Sequence, residues 1–250
     1  MSRLNEIIRE MKNSHSVVEF ASEQQADAYE MHNKNGGVPV SMQKMLPLAA
    51  SEYQISSDIK DYVVVPVILL PTDIPNRNSV AFPLEELLKF NVIHGMPNYK
   101  TWVGKPTFEE HANNDHTAAK GIIFDTYLQP ISNTVGNIHK LIALCGFDRT
   151  KDRELANAIL KGDRKSYSMG AMVKTYECAI CGALSKPRKL NTECGHVVRG
   201  MPKLFEDNEG RNIPSYLIAR NEIVGIEASS VATPAWSSAT NSSLFDMSDF

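Results

Sequence analysis

Tyr62-Val-Val-Val-Pro-Val-Ile-Leu-Leu70 is the longest apolar run in the chain. It falls far short of the roughly 20 residues a membrane-spanning helix needs. Its β-branched side chains predict a buried strand, with Pro66 at an edge or bulge because proline offers no N–H to a ladder. Downstream, 71–78 holds two Pro and three Asn or Asp in eight residues and reads as a loop. Pro83 to Phe90 then reads as a helix with Pro83 in its first turn. Upstream, 40–60 is ambiguous, Asn33 to Pro39 is a turn or linker, and Leu4, Ile7, Ile8 and Met11 share one face of an N-terminal helical segment over 1–33. Beyond Lys105, Ala119–Leu128, Ile138–Cys145 and Ser166–Tyr176 are strand candidates. Asp152–Lys161 is a compact helix, acidic in its first turn and stopped by Gly162. Several strands with few helices, in no βαβ alternation, predict an α+β fold or a barrel with peripheral helices.

The composition sets the outer bounds. With 250 residues, 42% hydrophobic and 22% charged, the chain is neither disordered, collagenous nor coiled-coil. The first residues lead into no uninterrupted apolar core, so a secretory signal is not expected and a soluble cytoplasmic protein is. A net charge of −3 argues against general nucleic-acid binding through a basic surface. That charge is unevenly placed: residues 1–220 carry 26 basic against 25 acidic groups, whereas 221–250 carry four acidic groups and no Lys or Arg. Seven of the last 25 residues are Ser, so 221–250 reads as an acidic, Ser-rich disordered tail.

Four cysteines are too few for a disulfide scaffold, and three crowd between Cys178 and Cys194. Cys178-Ala-Ile-Cys181 followed by Cys194-Gly-His196 places three thiols and an imidazole within nineteen residues. Two thiolates two residues apart grip one ion from a tight turn, and Gly182 permits that turn. A second pair from a returning hairpin completes a tetrahedral Cys3His zinc site. Such a site has no open position, so its expected role is structural, in a zinc-ribbon-like element over 176–198. Cys145, alone on an apolar strand, is expected in the core. Catalytic versions of the cluster fit poorly. A zinc deaminase needs His-x-Glu before its Cys pair, a metalloprotease needs His-Glu-x-x-His, and neither motif is present. An HNH-type nuclease would need a histidine beyond His196, which is the last in the chain.

A second signal is nucleophilic. Phe108-Glu-Glu-His111 precedes, by fifty-seven residues, Lys165-Ser-Tyr-Ser168-Met-Gly-Ala171. A serine followed closely by glycine on a strand lets backbone N–H groups approach an oxyanion while an imidazole takes the hydroxyl proton. His116, among Asn113, Asn114 and Asp115, reads as a solvated loop histidine. Alone the Ser-x-Gly triplet is common and says little.

The whole run from Lys105 to His196 is more specific. Gly104-Lys-Pro-Thr-Phe-Glu-Glu-His111 with Ala119-Lys-Gly-Ile-Ile123 resembles the histidine motif of tailed-phage prohead (capsid maturation) proteases. Ile142-Ala-Leu-Cys-Gly-Phe-Asp148-Arg resembles that family's next strand, and Ser166-Tyr-Ser168-Met-Gly-Ala171 its serine motif. In one branch a Cys-x-x-Cys-Gly and a later Cys-x-His follow, as Cys178 to His196 do here. The resemblance covers about 90 of the 250 residues. It implies a serine endopeptidase with an α+β fold like that of the herpesvirus assemblins: a β-barrel core with peripheral helices, here over 34–220. Ser168 would be the nucleophile and His111 its base, with no cofactor for catalysis. Assemblins use a second histidine after the serine, and the only one available, His196, is better explained as a metal ligand. An acidic third member is therefore expected, Asp148 first, with Asp125 and Asp152 as alternatives; Asp148 reads equally well as a helix cap. The resemblance further implies phage scaffold and major capsid proteins as substrates, inside the assembling prohead in the host cytoplasm, with no direct contact to nucleic acid or membrane. It also implies self-cleavage, often after Glu preceded by small residues: Ala21-Ser-Glu23 and Gly225-Ile-Glu227 match near the two ends, and cleavage after Glu227 is expected to release most of the tail, although such triplets are common, Ala50-Ser-Glu52 being a third. Oligomeric state is left open. The alternative reading is a zinc-ribbon binding or scaffold-associated protein without catalysis.

Overall fold

The structure is a computed structural model that describes residues 40–131, 138–186, 194–196, 203–206, 209–236 and 245–246. The N-terminal segment 1–33 lies outside the described residues. The strands are β1 (Tyr62–Pro71), β2 (Val80–Ala81), β3 (Phe90–Asn91), β4 (Met96–Pro97), β5 (Pro106–Glu109), β6 (Gly121–Pro130), β7 (His139–Asp148), β8 (Tyr167–Cys178), β9 (Leu184–Ser185), β10 (Leu204–Glu206), β11 (Asn212–Pro214), β12 (Leu217–Ser230) and β13 (Phe245–Asp246). Among the described residues the α-helices are α1 (Val40–Tyr53), α2 (Leu84–Leu88) and α3 (Arg153–Lys161). The fold is thus α+β and mostly sheet.

Among the described residues one sheet runs in the order β13-β1-β7-β6-β5-β12-β8-β9, with β2 added beside β12. β3–β4 and β10–β11 form separate two-stranded ribbons. The sheet is mixed: β12 runs parallel to β5 and antiparallel to β8. The expected closed barrel is not formed, because the strands at the two ends of this order are not hydrogen-bonded to each other. Val65 and Val67 of β1 and Val173 of β8 nevertheless share one apolar cluster with Trp102 and Tyr167, so the sheet curls around a common core. α1 covers the other face, where Leu46, Ala49 and Tyr53 pack with Tyr62, Phe108 and Phe124.

β1 is buried on both faces, as its continuous apolar run predicts. Pro66 pairs with Leu144 of β7, while β13 reaches only Val63 and Val64 on the opposite side. The missing N–H therefore falls where no second ladder asks for it. In α3 the Asp152 side chain accepts from Leu155 N and Gly162 ends the helix at φ 79°, the start and stop signals read from sequence.

The C-terminal expectation needs correction. Residues 221–230 are not a tail but the greater part of β12, which is paired along most of its length with β8. Val231 and Trp236 beyond it are buried, and β13 joins β1. Residues 237–244 and 247–250 lie outside the described residues. Serines and a glutamate look like a tail in composition, yet Glu227, Ser229 and Ser230 are all buried, with Ser229 and Ser230 paired to β5 and β8.

Candidate active site and metal centre

Three neighbouring strands bring the site together. Register pairs Ser229 of β12 with Phe108 of β5 on one side and with Ser168 of β8 on the other. Directly opposed residues point to the same face of a sheet, so Ser168 and Ser229 stand side by side. Two residues earlier on β12, Glu227 lies opposite Gly170. Its side chain crosses the space a side chain at 170 would fill: a Cβ there would lie 2.7 Å from Glu227 Oε1.

Glu227 is 1% exposed. Its Oε1 lies 3.0 Å from His111 Nδ1, and its Oε2 accepts from the Ser229 hydroxyl. The buried carboxylate is thus held from two sides, the condition under which burial of a charge is tolerated. His111 sits just past the end of β5, where both Glu110 (φ 48°) and His111 (φ 56°) take left-handed backbone conformations. The hydrogen bond to Glu227 pushes the His111 pKa above its ordinary value, partly offset by burial and reinforced by the negative charges of Glu227 and Glu110. With Nδ1 committed to Glu227, Nε2 is the nitrogen left to act as a base. Ser168 is buried, and among the described residues its Oγ has no hydrogen-bond partner, His111 included. Catalytic hydrogen bonds are commonly long in an unliganded site and shorten when substrate is bound.

Asp148 does not supply the expected third member. Its Oδ1 accepts from Thr150 N and Thr150 Oγ1, both at 2.7 Å, and its Oδ2 from Ser56 N at 2.6 Å. It shapes the turn after β7 and ties it to the segment before β1. Asp125 pairs with Lys100 at 2.6 Å, and Asp152 caps α3 and pairs with Lys120 at 2.7 Å. The carboxylate at His111 is Glu227, which sequence reasoning placed in the tail. The available signal was Gly170, read there only as access to an oxyanion. Glu227 is also a poor cleavage site in the folded chain, since it is buried within β12 and cutting after it would sever that strand three residues before its end. Glu23 lies outside the described residues, and Glu52 is exposed in the last turn of α1.

The metal-type ligands converge at the far end of β8. Ligand atoms of Cys178, Cys181, Cys194 and His196 all lie within 4.8 Å of one another. His196 Nδ1 is 3.3 Å from Cys181 Sγ and 3.8 Å from Cys178 Sγ. Bonds of about 2.0–2.3 Å to one tetrahedral ion place ligand atoms some 3.5–3.8 Å apart, so the set could hold a metal ion with little movement. Cys178 N bonds Ala183 O and Gly182 N bonds Cys178 O, forming the tight turn, with Gly182 at φ 70°. Cys145 is fully buried in the main core, and desolvation pushes its thiol pKa far up, the state of an inert core thiol.

Compared with family models, with curated proteins and with solved structures, the chain gives no match. No helix among the described residues is long and apolar enough to cross a membrane.

Proposed function

We propose that the chain is a serine endopeptidase of the prohead-maturation type, with an assemblin-like core, in which Ser168 is the nucleophile, His111 the general base and Glu227 the group that orients and stabilises it. The observation that carries this reading is the buried Glu227 carboxylate bound to His111 and crossing Gly170, two residues from Ser168. Ser168 Oγ attacks the scissile carbonyl carbon while His111 Nε2 takes its proton. Glu227 stabilises the imidazolium so formed. The carbon–nitrogen bond then breaks, His111 returns the proton to the leaving amine, and water hydrolyses the acyl-serine by the same route in reverse. The substrates are scaffold and major capsid proteins and the chain itself, within the assembling prohead. Zinc at Cys178, Cys181, Cys194 and His196 is structural, since four protein ligands fill its tetrahedron.

The test is co-expression with scaffold and capsid proteins, read by intact-mass spectrometry. Cleaved products from the native chain, absent with Ser168→Ala and with His111→Gln, are expected. Equal products from native and Ser168→Ala chains would overturn the reading. A second reading, a zinc-ribbon binding module without catalysis, is favoured by the Ser168 hydroxyl, which has no hydrogen-bond partner among the described residues. It expects Ser168→Ala to be silent and Cys181→Ser to abolish partner binding.

A further inference from the structure

Three segments must be brought into register for Ser168, His111 and Glu227 to act together, and one side chain bonds to the other two segments. Glu110 immediately precedes His111. Its carboxylate Oε1 accepts from Arg164 Nη1 at 3.0 Å and from Ala232 N at 2.9 Å. Arg164 lies in the connection that leads into Ser168, and Ala232 lies two residues past the end of β12, which carries Glu227. The Glu110 N–H donates to Ser230 O at 2.9 Å, and Val231 N donates to Ser166 O at 3.0 Å. Arg164 also grips Glu109 through Nη2 at 2.6 Å, so one guanidinium spans two successive carboxylates.

We propose that Glu110, clamped by Arg164 and the Ala232 N–H, is a positioning residue that sets His111 between Glu227 and Ser168. The inference rests on the proteolytic reading for its catalytic consequence, but the geometry it explains stands apart from it. Two consecutive non-glycine residues in left-handed conformations are strained and persist only where the surroundings over-determine them. Here those surroundings are the bonds just named. As surface ion pairs the Arg164 contacts, with both partners partly exposed, would add little stability. Their value lies in direction, because a planar guanidinium fixes the angle at which it meets a carboxylate.

Two variants test it. Glu110→Ala removes the acceptor; Glu110→Gln keeps an oxygen for Ala232 N and Arg164 while removing the charge. On a cleaved capsid or scaffold protein, Glu110→Ala is expected to lower kcat roughly ten- to a hundredfold with KM little changed. Glu110→Gln should restore most of that loss. In parallel, NMR of histidine-labelled protein, assigned with His111→Gln, follows the His111 Nδ1–H resonance. Glu110→Ala should broaden it or shift it upfield, while the unfolding temperature stays within a few degrees of the native value. An unchanged kcat and an unchanged resonance in Glu110→Ala overturn the proposal. So does a kcat loss that matches lost folding and is not rescued by Gln. If the native chain cleaves nothing, the proteolytic reading fails, and the resonance alone then decides whether Glu110 positions His111.

Discussion

A Cβ on Gly170 would lie 2.7 Å from Glu227 Oε1 and 3.1 Å from its Cγ. The far end of a flexible side chain usually gives way, but this one is pinned by His111 and Ser229 and enclosed by the core. Gly170→Ala should therefore displace the carboxylate from His111 rather than unfold the chain, at a stability cost of about 1–3 kcal/mol. The pH dependence separates that displacement from simple overpacking. Glu227 raises the His111 pKa above its ordinary value. A folded-state pKa above the unfolded one contributes stability that is fully present below the unfolded value of about 6.5. That contribution is lost as pH rises through the folded value. The native chain should thus exceed Gly170→Ala in stability by more at about pH 5.5 than at about pH 8.5, measured by denaturant titration at both. A pH-independent difference would mean that the Glu227–His111 bond survives. In activity, the native acid limb should lie above the ordinary histidine range, and the variant's residual activity should have its limb at lower pH.

At the scale of elements, what the sequence discloses depends on how local the determining interactions are. α3 was legible because its cap, its apolar face and its stop glycine all lie within eleven residues, Asp152 to Gly162. β1 was legible because an unbroken apolar run has few other fates. β12 was not, because two register shifts, at Arg220/Ile223 and Gly225/Glu227, break its alternation. Its most polar positions are buried by partners far away in sequence: Glu227 meets His111 across 116 residues. Asp148, at the end of β7, illustrates the same limit: a carboxylate at a strand end before a helix caps turns as readily as it assists a base, and only position in space decides. β12 also carries a second tight glycine contact, this one with the main core. A Cβ on Gly225 would come within 2.3 Å of Trp102 Cγ and 2.8 Å of its Cα, and Trp102 is fully buried with its Nε1 bonded to Gly170 O. Backbone and an enclosed indole have nowhere to move. Gly225→Ala should cost at least 3 kcal/mol, at or beyond the upper end of ordinary overpacking (roughly 1–3 kcal/mol), and should lower the thermal midpoint more than Gly170→Ala does. Calorimetry of the two variants side by side would show it, and equal midpoints would remove the claim.

Across the whole molecule, the site and the metal-type cluster are two ends of one hairpin-like pair of strands. Ser168 opens β8 and Cys178 closes it, while Leu217, paired with Cys178, opens β12, and Ser229, paired with Ser168, nears its end. At the cluster end the burial is thin: Cys178 and Leu217 form their own small apolar group with Ile180, Ala183 and Cys194 at its margin. Ala179 N reaches Tyr216 O, closing the strand pair at that end. So small a group adds little apolar burial at that end, and an ion bound by ligands assembled only in the folded state would add binding free energy there. Loss of such an ion should then loosen β8 against β12 from the Cys178 end and leave the Ser168 end, set in the main core, in place. Elemental analysis should find about one zinc per chain. A strong chelator should lower the unfolding temperature and raise hydrogen exchange first at 176–185 and 215–218, with 166–170 and 227–231 still protected. Cys181→Ser should reproduce this without chelator, because Cys181 is exposed and contributes little except a ligand. Exchange that rises evenly along both strands would show that the ion supports the sheet as a whole, and no change on chelation would show that it supports neither end.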